Sequence, residues 1–325
     1  MVAKVLLVRL EEIEDEWERI LPICSTDTIF VTPWWLRIWW RVFGSGSESH
    51  ILWIRDGDST LGIAPLMKNG NVVSFMGNDD VCDYADFLVP KGNEDSFYPA
   101  LFDYLPLINC NILELRSVPQ DSPTLAYVPK VAEARGYSVE LKEEDRAPYL
   151  PLHATWEGYL GSLSRKNRHE LKRKMRRLGR AGEYSQLECE GPHVLHDCMA
   201  DFFRLHRVSR PDKAEFMTPK RQRFFEDIAT ELTARNQFRL SFLELNGIRV
   251  ASCIAFDYRG QHLLYNSGYD PQFSELSVGL LNKVLAVKEA IGLGKSAFDF
   301  LRGDERYKYD LGARDRSIYQ LTIRC

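Results

Sequence analysis

The sequence predicts an α+β protein of two tandem domains, each a mixed, mostly antiparallel sheet flanked by helices. Three observations predict it. The chain has 325 residues, and at roughly 100–200 residues per domain that fits two. Both halves contain strand-length apolar runs punctuated by Asp-Gly, Asn-Gly or Arg-Gly turns. Both halves also share one order (helix, helix, hairpin, strand, helix, strand) without obvious residue identity. The expected domains are 1–147 and 148–325, because Glu143 to Leu152 mixes charges with Pro148 and Pro151.

The N-terminal half opens with a strand over Lys4 to Arg9 and a helix over Glu12 to Ile23. Thr32-Pro33 has the chemistry of an N-cap followed by a first-turn proline, and the helix it starts runs to Phe43 before Gly44. His50 to Arg55, Thr60 to Met67 and Val72 to Met76 alternate as strands around Asp56-Gly57 and Asn69-Gly70. A strand at Ile112 to Arg116, a helix at Thr124 to Arg135 and a strand at Tyr137 to Leu141 follow.

The C-terminal half begins with a strand at Tyr184 to Cys189 and helices at Pro192 to Val208 and Thr218 to Arg235. Phe238 to Leu245, Ile248 to Tyr258 and Gln261 to Tyr269 form a three-strand meander. Asn246-Gly247 sets its first turn, since both central residues of a type I′ turn need positive φ. A helix over Ser277 to Ile291, a short strand at Ala297 to Leu301 and a last strand at Ser317 to Arg324 end the chain.

Composition narrows the function classes. Hydrophobic residues make up 45% and charged residues 27%, which is ordinary for a folded soluble chain. No apolar run approaches the roughly 20 residues of a membrane span, and Met1 to Glu11 lacks a signal-type core, so a cytoplasmic protein is expected. Seven cysteines with no Cys-x-x-Cys suit a reducing compartment. Cys189, His193, His196 and Cys198 have spacings unlike standard zinc sites, and no metal is expected. Gly-x-Ser-x-Gly is absent, which argues against that hydrolase class.

The net charge of −4 does not suggest a general DNA or RNA binder. One stretch departs from it: Arg165 to Arg180 holds nine basic residues against Glu170. Such a stripe suits a local anionic partner, and the candidates are CoA phosphates, an anionic acceptor, tRNA or a membrane surface touched peripherally. The bland alternative is a solvated face. Trp34, Trp35, Ile38, Trp39, Val42 and Phe43 recur at helical spacing and read as a core stripe.

Particular residues then become recognisable. Tyr265 to Pro271, Leu276 to Leu280, Phe298 to Glu305 with Tyr307-Lys308, and Phe202 to His206 resemble the CelD/BcsL-type acyltransferases of the acyl-CoA N-acyltransferase (GNAT) superfamily. So do Thr32 to Gly44, Gly62 to Leu66, Leu115 to Pro119 and the basic Leu163 to Arg168. The resemblance spans nearly the whole chain and departs at Asp310-Leu311-Gly312, where the family often has an aromatic before the glycine. It implies tandem GNAT-like domains related to the Fem aminoacyltransferases. The N-terminal domain would be degenerate and serve the acceptor, and the C-terminal one would serve the acyl-CoA.

The resemblance also implies a division of labour. Acetyl-CoA or another acyl-CoA is the expected co-substrate. Splayed strands would hold its pantetheine arm through Tyr265, Asn266 and Ser267. Ser277 would cap a helix whose Val278, Gly279 and Leu280 amides face the diphosphate. The alternative for that turn is an ordinary capped helix. Acyl transfer also needs proton acceptors and donors and a stabilised oxyanion: Asp299, Asp304 and Tyr307 are candidates, with Glu305 a further base, and Lys308 matches a lysine that Fem-like enzymes use to balance developing negative charge. Their structural alternatives are turn formation, a helix first turn, packing and a solvated lysine. Asp83, Tyr84, Asp86, Arg116 and Arg302 are expected to hold the acceptor. Asp79 belongs to the same acidic segment. The expected acceptor is a small-molecule, lipid-linked or nucleotide-linked sugar of envelope or exopolysaccharide synthesis. The other readings are aminoacyl transfer from tRNA and a non-catalytic binding module.

Overall fold

A computed structural model describes residues 3–77, 80–189 and 191–325. In chain order its elements are β1 (Lys4–Val8), α1 (Leu10–Ile20), α2 (Pro33–Phe43), β2 (Glu48–Asp56), β3 (Ser59–Asn69), β4 (Val72–Phe75), α3 (Glu94–Tyr104), β5 (Ile112–Pro119), α4 (Thr124–Glu133) and β6 (Ser138–Arg146). Then come β7 (Tyr149–Pro151), α5 (Trp156–Ser162), α6 (Arg165–Ala181), β8 (Tyr184–Glu188), α7 (Pro192–Ser209), α8 (Pro211–Phe216) and α9 (Pro219–Ala234). The meander β9 (Phe238–Leu245), β10 (Ile248–Tyr258) and β11 (Gln261–Tyr269) precedes α10 (Val278–Gly292), β12 (Ala297–Asp299), α11 (Arg306–Asp310) and β13 (Ser317–Arg324).

The chain forms two compact units, 1–146 with 316–325, and 147–315. Unit 1 is a seven-stranded sheet in the order β1-β2-β3-β4-β5-β13-β6. All its pairings are antiparallel except β4 with β5. Its core gathers Phe75, Phe87, Phe97 and Tyr98. The tryptophan stripe of α2 is buried at Trp34, Trp35 and Trp39, as a core face should be. Thr32 caps that helix by accepting from the Trp35 amide at 3.4 Å.

The last ten residues depart from the expected partition. They were read with the C-terminal domain, but β13 lies between β5 and β6 of unit 1. Ile318, Leu321 and Ile323 are fully buried there. That alternation gives the strand one apolar face, which it buries in the core of unit 1.

Unit 2 is a six-stranded sheet in the order β7-β12-β11-β10-β9-β8. The type I′ reading holds at Asn246-Gly247, where φ is 50° and 77°. Thr218 caps α9 and Ser164 caps α6 through side-chain bonds of 3.3 and 3.1 Å. α10 packs Val278, Leu281, Val284 and Val287 into the core of the unit beside Phe298. α7 lies so close to β11 that a Cβ on Gly268 would stand 2.4 Å from the His206 backbone nitrogen. Only glycine fits there.

Candidate active site

The central opening of unit 2 exists because β12 is short. It pairs with β11 only from Gln261 to Leu263. Asp299 ends it: its Oδ1 accepts from the Leu301 amide at 2.8 Å, and Leu301 turns left-handed at φ 56°. The strand therefore stops two residues before the expected Leu301. β11 continues to Tyr269 with only β10 as strand partner. Its register slips at Tyr265, since Ile254 faces Asn266 while Ala255 faces Leu264. Past this splay lies a groove of about 360 Å³, lined on the strand and α10 sides by Ser267, Tyr269, Ser277, Val278, Gly279 and Leu280.

The start of α10 differs from the expected cap. Ser277 is left-handed (φ 58°) and makes no side-chain cap bond. Its hydroxyl instead accepts from Lys174 Nζ at 3.2 Å and Arg177 Nη2 at 3.1 Å, both on α6. The first helical return bond is Leu281 N to Ser277 O, 2.9 Å. The Val278, Gly279 and Leu280 amides thus precede the ladder, as the first amides of any helix do. A left-handed residue between a 3₁₀ turn (Pro271–Leu276) and a helix forms a concavity of amides suited to an anion. Gly279 packs tightly under it: a Cβ would sit 2.9 Å from the Tyr269 ring.

Lysines from α8 and α10 make the groove cationic. Lys213 Nζ donates to the Ser267 carbonyl. Burial, and then the charges of Lys283 and Arg210, push its ammonium down to about 8. Lys283 Nζ donates to Gly279 O at 3.1 Å and stands 5.2 Å from the centre of the Tyr307 ring. Burial lowers its pKa as well. Tyr307 lines the groove, and burial raises its phenol far above the usual range, so it stays protonated. Glu305 completes the lining. Burial acts to raise its carboxyl, but the Lys308 charge and hydrogen bond outweigh it and the net shift is downward.

Other expected site residues lie elsewhere. Lys308 is 2% exposed. Its ammonium donates to the carbonyls of Leu301, Arg302 and Gly303 at 3.1, 2.9 and 2.8 Å and pairs with Glu305 at 2.9 Å. It anchors a loop rather than meeting the groove. Asp299 is buried and forms the turn just described. Asp304 is exposed, and Arg302 is half-buried; neither is among the groove-lining residues. Tyr265 packs between Phe225 and Phe256, with ring centres 5.3 and 4.7 Å away. Asn266 Oδ1 accepts from its neighbour's amide, Ser267 N, at 2.9 Å. The groove therefore collects Ser267, Ser277 to Leu280 and Tyr307 from the expected set, while Tyr265, Asn266, Asp299 and Lys308 support it from behind.

Apart from Arg302, the expected acceptor residues fall in unit 1. Asp86 is 1% exposed. It accepts from the Thr26 and Thr124 hydroxyls and from the Phe87 amide at 2.8 Å. Burial raises its carboxyl while these bonds act against the shift. Such a group holds loops together and is closed to an acceptor, which corrects its expected role. Tyr84 is buried and accepts from Arg316, so it too is internal. Asp83 is half-buried. Arg116 pairs with Glu144 at 2.6 Å and lines a cavity of about 180 Å³ with Ser74, Cys82, Glu114 and Ser117. Asp79 lies outside the described residues.

Sequence reasoning missed Lys213, Lys283 and the inward role of Lys174 and Arg177. Lys283 had a signal: it is a charge set in the apolar run Val278 to Val287. Lys213 had none, because α8 has no buried face.

Comparison with known proteins agrees with this architecture. Residues 165–309 match the family model described as an acetyltransferase (GNAT) domain. No curated protein sequence matches the chain. Among solved structures, FemX is similar over 98% of this chain and 96% of its own, with 12% identity and a TM-score of 0.68. L-PGS from Bacillus licheniformis is similar over 94% of this chain and 90% of its own, with 11% identity and a TM-score of 0.59. A tandem GNAT protein from the clavulanic acid biosynthesis pathway covers 98% of each chain at 10% identity and a TM-score of 0.53. The fold is thus a tandem GNAT-like one, and the match to the acetyltransferase (GNAT) domain falls within its second unit. No described helix is long and apolar enough to cross a membrane.

Proposed function

We propose that this protein is an acyl-CoA-dependent N- or O-acyltransferase of the CelD/BcsL type, acting in the cytoplasm on a sugar or cell-envelope precursor. The observation that carries the reading is the groove at the splay of β11 and β12, with the α10 amides at one end. The diphosphate fits the Val278 to Leu280 amides, with Lys174 and Arg177 beside them. The pantetheine arm follows β11 past Ser267.

In the reaction, the acceptor's amine or hydroxyl attacks the thioester carbonyl and loses its proton as the new bond forms. The carbon–sulfur bond breaks and the leaving thiolate takes a proton. Tyr307, kept neutral by burial, is the proposed donor to that sulfur. Glu305 is the carboxylate that lines the groove, and it replaces Asp304, which does not line it, as the proposed proton acceptor. Lys308 and Asp299 hold the loop that presents both.

Calorimetric titration with free CoA and acetyl-CoA tests the reading. Micromolar binding, with Tyr307→Phe lowering turnover and leaving affinity unchanged, supports it. No binding at millimolar CoA overturns it. Aminoacyl transfer from tRNA is the second reading, favoured by the FemX likeness and the exposed basic residues of α6. It requires tRNA binding that a charge reversal at Arg173 and Arg176 abolishes. A non-catalytic module would bind CoA and transfer nothing.

A further inference from the structure

The groove contains more positive charge than a diphosphate at the start of α10 uses. Arg210 is matched by Asp212 at 2.6 Å and Glu305 by Lys308 at 2.9 Å. Lys213 and Lys283 have no carboxylate within ion-pair distance among the described residues, and each donates to one backbone carbonyl only. An ammonium has three donors, so each retains two. Lys308 shows what this fold does with a lysine used for structure: four protein oxygens surround it. Both ammoniums lose hydration in the groove, which lowers the pKa of each, and the Lys283 charge lowers that of Lys213 further. A ligand anion relieves both costs.

The two cation pairs occupy different sides. Lys174 and Arg177 come from α6 and meet Ser277. Lys213 comes from α8 to Ser267 in mid-β11, and Lys283 lies one turn into α10. Cys253, which faces Ser267 across the β10–β11 ladder, senses both charges.

We propose that Lys213 and Lys283 form a carboxylate-binding subsite in the groove, so that one of the two reacting molecules carries a carboxylate near its reacting atom. This rests on the acyltransferase reading. The carboxylate belongs either to the acyl group, as in a dicarboxylic acyl-CoA, or to the acceptor. A carboxylate suits the pair because its two oxygens can accept from two ammoniums at once.

Calorimetry on the intact chain decides it, using free CoA, acetyl-CoA, succinyl-CoA and glutarate. If the acyl group carries the charge, succinyl-CoA binds at least tenfold tighter than acetyl-CoA. Lys213→Met and Lys283→Met then erase that difference while changing free-CoA affinity less than threefold. If the acceptor carries it, the two thioesters bind alike, but glutarate binds the CoA complex and neither variant binds glutarate. Lys213→Gln, which keeps a donor toward Ser267, separates loss of charge from loss of folding. No carboxylate preference in either arm overturns the proposal. So does an equal loss of free CoA and succinyl-CoA in the variants, since the lysines would then belong to the diphosphate site. Failure of free CoA to bind rejects the donor reading alone, because glutarate titrated into the protein without CoA still reads the subsite.

Discussion

Replacing Lys308 separates an anchor from a catalyst. In Lys308→Met the Leu301, Arg302 and Gly303 carbonyls lose their shared donor and Glu305 loses its partner. A buried polar group left unpaired costs about 1–3 kcal/mol, so three carbonyls treated alike would cost about 3–9 kcal/mol. Their surroundings reduce that. Arg302 and Gly303 are half-exposed and can take water, whereas Leu301 is 1% exposed and cannot. Glu305 is 54% exposed, so its charge rehydrates and the lost ion pair contributes little. The methionine stem keeps most of the packing. The expected loss is therefore about 2–4 kcal/mol, dominated by one dry carbonyl and a loosened loop. Urea unfolding followed by tryptophan fluorescence measures it, with unit 2 monitored through Trp156. CoA affinity should fall only modestly, because Lys308 is not among the groove-lining residues. A change below about 0.5 kcal/mol, the scatter of an ordinary surface substitution, together with abolished acyl transfer at unchanged CoA affinity, would refute the anchor and return Lys308 to the chemistry.

Three further outcomes are expected. His206 is 1% exposed, and burial, followed by the Lys213 charge, pushes its imidazole down to about 4. It folds neutral, so the stability it confers is full above its unfolded value of about 6.5 and is lost as pH falls from there toward 4, at up to about 1.4 kcal/mol per unit; His206→Gln should flatten the urea midpoint across that window. Gly268→Ala puts a Cβ 2.4 Å from the His206 nitrogen and 2.5 Å from the Leu205 carbonyl carbon; neither backbone atom can yield as a side chain can, so a loss at or above about 3 kcal/mol is expected, read as a lowered melting temperature. Reversing Lys174 and Arg177 to Glu should weaken CoA by about ten- to a hundredfold, consistent with the loss of one charge-assisted bond of about 1.5–3 kcal/mol, and should flatten the salt dependence of binding; unchanged affinity would detach α6 from the groove.

What could be read from the sequence was local chemistry. Asn246-Gly247 needs two positive φ angles, and Thr32-Pro33 and Thr218-Pro219 state their helix starts within four residues. Meander, helix and strand followed from such signals, and with them the position of the groove. What escaped was set by partners distant in sequence. α3 is buried at Phe97, Tyr98, Ala100, Leu101 and Phe102, so it has little amphipathic period to detect. β13 carries a clear alternation, but nothing local says that its neighbours are β5 and β6. Ser277 has a capping residue's chemistry, yet its left-handed φ turns the hydroxyl over to α6, 100 residues upstream at Arg177.

The charged residues show the same division most sharply. Lys308, Lys213 and Lys283 are alike as letters and differ in how many oxygens the fold delivers to each. Lys308 sits where a strand end, a left-handed Leu301 and a glycine at φ 108° turn successive carbonyls inward. Its charge is matched by the loop that it shapes. Lys213 and Lys283 are brought from α8 and α10 to a surface where the neighbouring strand has ended. The truncation of β12 at Asp299 therefore opens the groove and also removes the strand that would have flanked β11 at Ser267, so Lys213 and Lys283 meet one backbone carbonyl each there and no carboxylate among the described residues.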